Sequence, residues 1–158
     1  MNYAAVRSRY LDDAVATASP AKLLTMLYDR LVLDLERAEA AQHDGDRAGG
    51  GTHLLHAQDI VSELTSTLDV DAWDGAPRLM SVYTYLLTEL VGANVSGDPE
   101  RTAACRELVE PLRDAWHEAA DQLSGATVQP GAPTLEPAGA ATGGYASAGA
   151  GLGVLGVG

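Results

Sequence analysis

The stretch Thr17-Ala-Ser-Pro-Ala-Lys-Leu-Leu-Thr-Met-Leu-Tyr-Asp29 constrains the fold more than any other, because it joins a helix start to a dense apolar run. The Ser19 hydroxyl can turn back onto the free amides of a first turn, and Pro20, which has no amide to leave unpaired, suits the first helical position. From there Leu24, Tyr28, Leu31, Leu35 and Ala38 recur at steps of four and three, which stacks them on one helix face. Leu23, Met26, Leu27 and Val32 fall outside that line and widen the apolar surface. A helix this apolar touches more than one neighbour.

The rest of the chain carries three more helical patterns. The first helix is predicted over residues 20–42, ending before His43-Asp-Gly-Asp46. The glycines Gly49, Gly50 and Gly51 each weaken a helix by up to about 1 kcal/mol relative to alanine, so the second helix is expected to begin only at Thr52 and to reach about Leu68. Its face is Leu54, Ala57, Gln58, Val61, Leu64 and Leu68, with Leu55 and Ile60 beside it. Asp69 to Pro77 reads as a loop, rich in aspartate and closed by Gly75 and Pro77, with Trp73 folding back onto the bundle edge. A third helix follows over about 76–95. Its core line is Leu79, Val82 or Tyr83, Leu86, Leu90 and Ala93, and Met80, Leu87 and Val91 form a second apolar line. Gly97 ends that helix, Asp98 caps the next and Pro99 takes its first turn. The fourth helix runs to Leu123 through Pro111, where a kink is expected rather than a break.

These patterns predict an all-α protein: an antiparallel four-helix bundle over residues 20–123, preceded by an N-terminal arm, 1–19. After Leu123 the composition turns to Gly, Ala, Pro, Ser and Thr. Such a segment has too little large apolar surface to offset its ordering entropy, so 124–158 is expected to be a disordered tail.

Charge and cysteine content exclude several classes of function. A formal net charge of -12 argues against nucleic acid, whose binding rests on Lys and Arg neutralising phosphates. It also disfavours anionic membranes and strong self-association, leaving a monomer or weak dimer. The single cysteine, Cys105, permits neither an internal disulfide nor a cysteine zinc cluster. No secretory signal and no apolar stretch of about 18 residues is present. Cytosol is the compartment this predicts.

Chemistry is sparse. His53 and His56 lie three apart on one helix face, so a metal site or a phosphorelay histidine has to be weighed. Histidine phosphotransfer bundles usually place lysine and glycine soon after the histidine, whereas Ala57-Gln-Asp59 follows here. A carboxylate-bridged metal site needs inward Glu and Glu-x-x-His elements on separate helices, and only Asp114-Ala-Trp-His117 comes near it. Cys105 reads as a small core residue. No Gly-rich phosphate loop sits between a strand and a helix. No catalytic residue, metal site or cofactor is predicted, and no enzyme is implied.

Tyr10, Val15 and the opening run, with Ala57-Gln-Asp-Ile-Val-Ser-Glu-Leu64, Tyr83-Thr-Tyr85, Ala93-Asn94 and Asp114-Ala-Trp116, resemble the flagellin export chaperone family, FliS, over the first three quarters of the chain. The resemblance implies a cytosolic chaperone that binds the disordered C-terminal segment of flagellin, prevents premature polymerisation and delivers it to the flagellar export apparatus. It also implies that the arm covers the empty cargo groove and docks at an export-gate component, with Tyr10 the matching tyrosine. Apolar positions left after the core lines are filled make Met26, Leu33, Leu55, Ile60, Met80, Leu87 and Val91 the candidates for cargo contact, together with Tyr10. The competing readings are a signalling or regulatory bundle of the histidine phosphotransfer kind, and a structural helical module without cargo.

Overall fold

Local capping sets where each helix begins and ends. In the computed structural model, which describes Ala5, Arg9 and residues 17–127, α1 spans Pro20–His43 with Ser19 as its N-cap, the serine Oγ accepting from Lys22 N at 3.2 Å. α2 spans Arg47–Thr67, α3 Ala76–Ser96 and α4 Pro99–Thr127. Gly97 ends α3 in the left-handed region, φ 69°, and its N–H returns to Ala93 O. Asp98 Oδ1 then accepts from Glu100 N at 2.9 Å and starts α4. The Tyr10 prediction and nearly all of the arm and tail lie outside the described residues.

Side-chain pairs establish an up-down-up-down bundle. Going up α1, Asp29 meets His117 at 2.7 Å, Glu39 accepts from Arg106 at 3.0 Å and Gln42 Oε1 accepts from Thr102 at 2.7 Å, so α4 runs antiparallel to α1. Tyr28 pairs with Tyr83, and Gln42 donates to Ala93 O, so α3 runs the same way as α1. Asp34 of α1 is held by His53 and His56 of α2, and Arg101 of α4 donates to Glu89 of α3. The first helix thus has partners on all three others, as its broad apolar surface requires. The core holds Tyr28, Leu31 and Leu35 of α1, Leu54, Ala57 and Val61 of α2, Tyr83, Leu86 and Leu90 of α3, and Cys105 and Val109 of α4. Tyr83, not Val82, takes the inward position left open by the sequence.

The start of α2 differs from expectation: the glycines lie inside the helix, which begins five residues earlier than Thr52. Two local facts offset their poor propensity. Asp46 caps the helix by accepting from Gly49 N at 2.9 Å. Gly50 is buried where α2 crosses the end of α1, so close that a Cβ there would sit 3.1 Å from Gln42 Cγ. A side chain would hold the helices apart, so packing repays the propensity cost. α4 is continuous through Pro111, which is exposed, and goes on to Thr127, beyond the change in composition at Leu123. The chain divides into two units, Met1–Gln122 and Leu123–Gly158. The first holds the bundle; of the second, only the end of α4 is described.

Candidate functional site

Helix register brings four of the predicted cargo residues together. A Cβ on Gly51 of α2 would lie 3.2 Å from Asn94 Oδ1 of α3, which fixes one point where these helices face each other. Leu64 and Leu68 share a depression with Leu79 and Tyr83, which fixes a second. On α2, Leu55 and Gln58 follow Gly51 by four and seven residues, and on α3, Val91, Leu87 and Met80 precede Asn94 by three, seven and fourteen. Those spacings repeat a helix face. Leu55, Met80, Leu87 and Val91 therefore flank one groove between antiparallel α2 and α3. Leu55 is 55% and Val91 49% exposed, while Met80 and Leu87 are half-buried.

The remaining candidates fall elsewhere. Met26 and Leu33 are half-buried and project from α1. Ile60 is only 6% exposed and belongs to the core, so it supports the surface from beneath instead of offering itself to it. Gln58, which sequence analysis placed on a core line, carries a buried side-chain nitrogen with no hydrogen-bond partner. An unpartnered buried donor costs about 1–3 kcal/mol.

The deepest apolar relief was not anticipated. At the end of the bundle where α2 hands over to α3, Trp73 folds back over Gly75, so close that a Cβ on Gly75 would lie 1.7 Å from the indole. One depression beside Trp73 is lined by Leu24, Leu64, Leu68, Leu79, Tyr83 and Trp116. The other, of about 230 Å³, is lined by Trp73, Leu79, Leu112, Ala115, Trp116 and Ala119. Trp73, 49% exposed, forms a wall common to both. Sequence analysis assigned most of these side chains to core lines; periodicity identifies the inward face of a helix but not where the far end of the bundle leaves that face uncovered. Trp73 within its loop was the one available signal.

Beneath this end lies a buried polar bridge. The Tyr28 and Tyr83 hydroxyls meet at 2.6 Å, and burial raises both phenols above their ordinary range. Burial likewise pushes the Cys105 thiol up to about 11, so it is a neutral core group and not a nucleophile. On the surface, the hydrogen bond from Arg101 holds Glu89 below the usual carboxylate range.

Between α1 and α2 sits a different constellation. Asp34 is fully buried, accepts from Arg30 Nε at 3.1 Å, and pairs with His53 Nδ1 at 3.3 Å and with His56 Nδ1 at short range. Among the described residues no group of three or more His, Cys, Asp or Glu side chains is arranged to hold a metal ion. Nor is any described helix long and apolar enough to cross a membrane.

A helical bundle with apolar side chains along α2 and α3 and apolar depressions at one end has surface on which an apolar chain segment can dock. A sequence profile described as "Flagellar protein FliS" matches residues 2–123, and the chain belongs to that family. It is 31% identical over 110 residues to the flagellar secretion chaperone FliS of Escherichia coli (strain K12), covering 68% of this chain and 81% of the relative. It is also 31% identical over 110 residues to the flagellar secretion chaperone FliS of Bacillus subtilis (strain 168), covering 70% and 82%. A solved structure titled "Crystal structure of flagellar chaperone from bacteria" has the same fold, with a TM-score of 0.61 at 19% identity, covering 74% of this chain and 96% of the other. This is a four-helix flagellar secretion chaperone of the FliS family, and its relatives are named as chaperones, not enzymes.

Proposed function

We propose that this chain binds the C-terminal segment of flagellin in the cytosol, keeps it from polymerising and hands it to the export apparatus. The observation that carries this reading is the apolar groove between α2 and α3, flanked by Leu55, Met80, Leu87 and Val91. A segment that is disordered before assembly would fold onto this groove as an amphipathic helix and place apolar anchors in the depressions around Trp73 and Trp116. Burial supplies about 25 cal/mol per Å² of apolar surface, and ordering the cargo returns part of it, which keeps the complex releasable. Met26 and Leu33 extend the contact along α1. Tyr10 is carried over from the family as the residue that covers the groove and docks at the export gate. The working form is a monomer or weak dimer.

The test is titration calorimetry of the full chain against a peptide of about the last 50 residues of the host flagellin, with expected saturable binding, a negative heat-capacity change and a gain of helical signal. Val91→Asp and Leu55→Asp, both at exposed positions, should leave the circular dichroism spectrum unchanged and weaken binding by about tenfold or more. A folded chain that takes up no peptide at high micromolar concentration overturns the flagellin assignment.

A further inference from the structure

Asp34 is the one fully buried charged side chain among the described residues, and two imidazoles of α2 close over it. Its two carboxylate oxygens face the Nδ1 atoms of His53 and His56, and a ring nitrogen donates to a carboxylate when it carries the ring's proton. In a neutral imidazole the lone pair then resides on Nε2, at the opposite side of the ring. The side chains of His53 and His56 are 29% and 47% exposed. Histidines three apart on a helix are neighbours, with Cβ atoms about 5–6 Å apart. Each histidine thus has Nδ1–H committed to a carboxylate and Nε2 free to donate its lone pair, the arrangement that orients imidazoles around a metal ion.

We propose that His53 and His56 form a two-imidazole chelate, completed by water, for a divalent cation of the Zn²⁺, Ni²⁺ or Cu²⁺ type, with Asp34 as the positioning residue beneath both rings. Imidazole selects these ions over Mg²⁺ or Ca²⁺, which prefer oxygen ligands. The charge of -12 favours a cation at the surface. Arg30 does not oppose it, because its guanidinium is already committed to Asp34 and the ion is bound through Nε2 lone pairs on the other edge of the rings. The site is independent of the cargo groove: His53 and His56 face α1, whereas Leu55 and Gln58 face α3.

The experiment is calorimetry of the untagged full chain with NiCl₂ and with ZnCl₂, followed by ¹⁵N spectra of the imidazoles. One equivalent should bind, and His53→Asn and His56→Asn should each weaken it by about tenfold or more. His43→Gln and His117→Gln should leave it unchanged. Asp34→Asn should weaken binding by about 10–100-fold with both ligands still present, and should have no further effect in the His53→Asn/His56→Asn background. If Asp34→Asn fails to fold, the ¹⁵N spectra of the wild-type chain decide its role: both rings should be Nδ1–H tautomers, with Zn²⁺ moving the Nε2 signals. A wild-type chain that binds neither ion, one-equivalent binding that survives loss of both histidines, or Nε2–H tautomers would each overturn the proposal.

Discussion

The two ends of the bundle solve opposite problems. Where α1 turns into α2, the interior is closed by polar bonds: Gln42 donates to Ala93 O and accepts from Thr102 Oγ1, tying α1 to α3 and α4, while Arg47 donates to the Val95 and Ser96 carbonyls at the end of α3. Where α2 turns into α3, an eight-residue loop (68–75) carrying Trp73 leaves apolar walls open around Trp73 and Trp116. The closed end is built from polar bonds between helices and carries a depression lined by Gln42, Gly45, Arg47, Gly51, Asn94 and Gly97. The open end has apolar surface that water covers poorly, which is attraction held in reserve. Hydrogen bonds between helices gather at one end and uncovered apolar walls at the other.

That division is sharpened most by a pair of substitutions. Gln42→Ala should cost about 1–3 kcal/mol in denaturant unfolding, because it removes the two hydrogen bonds that tie α1 to α3 and α4, and should not change flagellin affinity in the folded protein. Trp73→Ala should do the reverse, costing about 1 kcal/mol or less of stability at a half-exposed site while weakening cargo binding by about tenfold or more. Equal effects on both measurements for either variant would break the comparison.

The glycines test how tightly the closed end is built. Gly50→Ala should destabilise by about 1–2 kcal/mol, because its methyl meets Gln42 Cγ, part of a side chain fixed by two hydrogen bonds. Gly51→Ala should be neutral or stabilising by up to about 1 kcal/mol, since only the tip of Asn94 has to give way and helix propensity improves. Thermal unfolding of the two variants side by side decides it. Gln58→Leu removes an unpartnered buried donor and should raise stability by about 1 kcal/mol.

Burial also sets an alkaline limit on stability. Cys105 ionises near 9.0 when unfolded and about 11 when buried. A folded-state pKa above the unfolded value stabilises fully below the lower figure and is lost as pH rises through the higher one. Denaturant midpoints should therefore fall between pH 9 and pH 11, and Cys105→Ala should remove that part of the decline. On the acid side, Glu89 works in the other sense: held low by Arg101, it supports the fold above the usual carboxylate range and ceases to as pH drops through its folded value.

The helices themselves were legible in the residues. Ser19-Pro20, Gly97 and Asp98-Pro99 act within one turn of where they stand, and the core lines of α1 and α3 follow a period that any helix must obey. The glycines of α2 misled because propensity is local, whereas the close approach of Gly50 to Gln42 exists only once two helices cross. The cargo candidates divided in the same way. Sequence picked out apolar residues off the core line, but only antiparallel register joined Leu55 to Met80, Leu87 and Val91 and sent Ile60 into the core. The walls around Trp116 were hidden among residues periodicity calls core, since whether an inward face is covered depends on which other helix ends reach it. The pairing of Asp34 with His53 and His56 spans about twenty residues of chain and two helices, a relation that no spacing rule within one helix contains. What is local in cause the sequence determined by itself; what depends on one helix meeting another was decided by the tertiary structure.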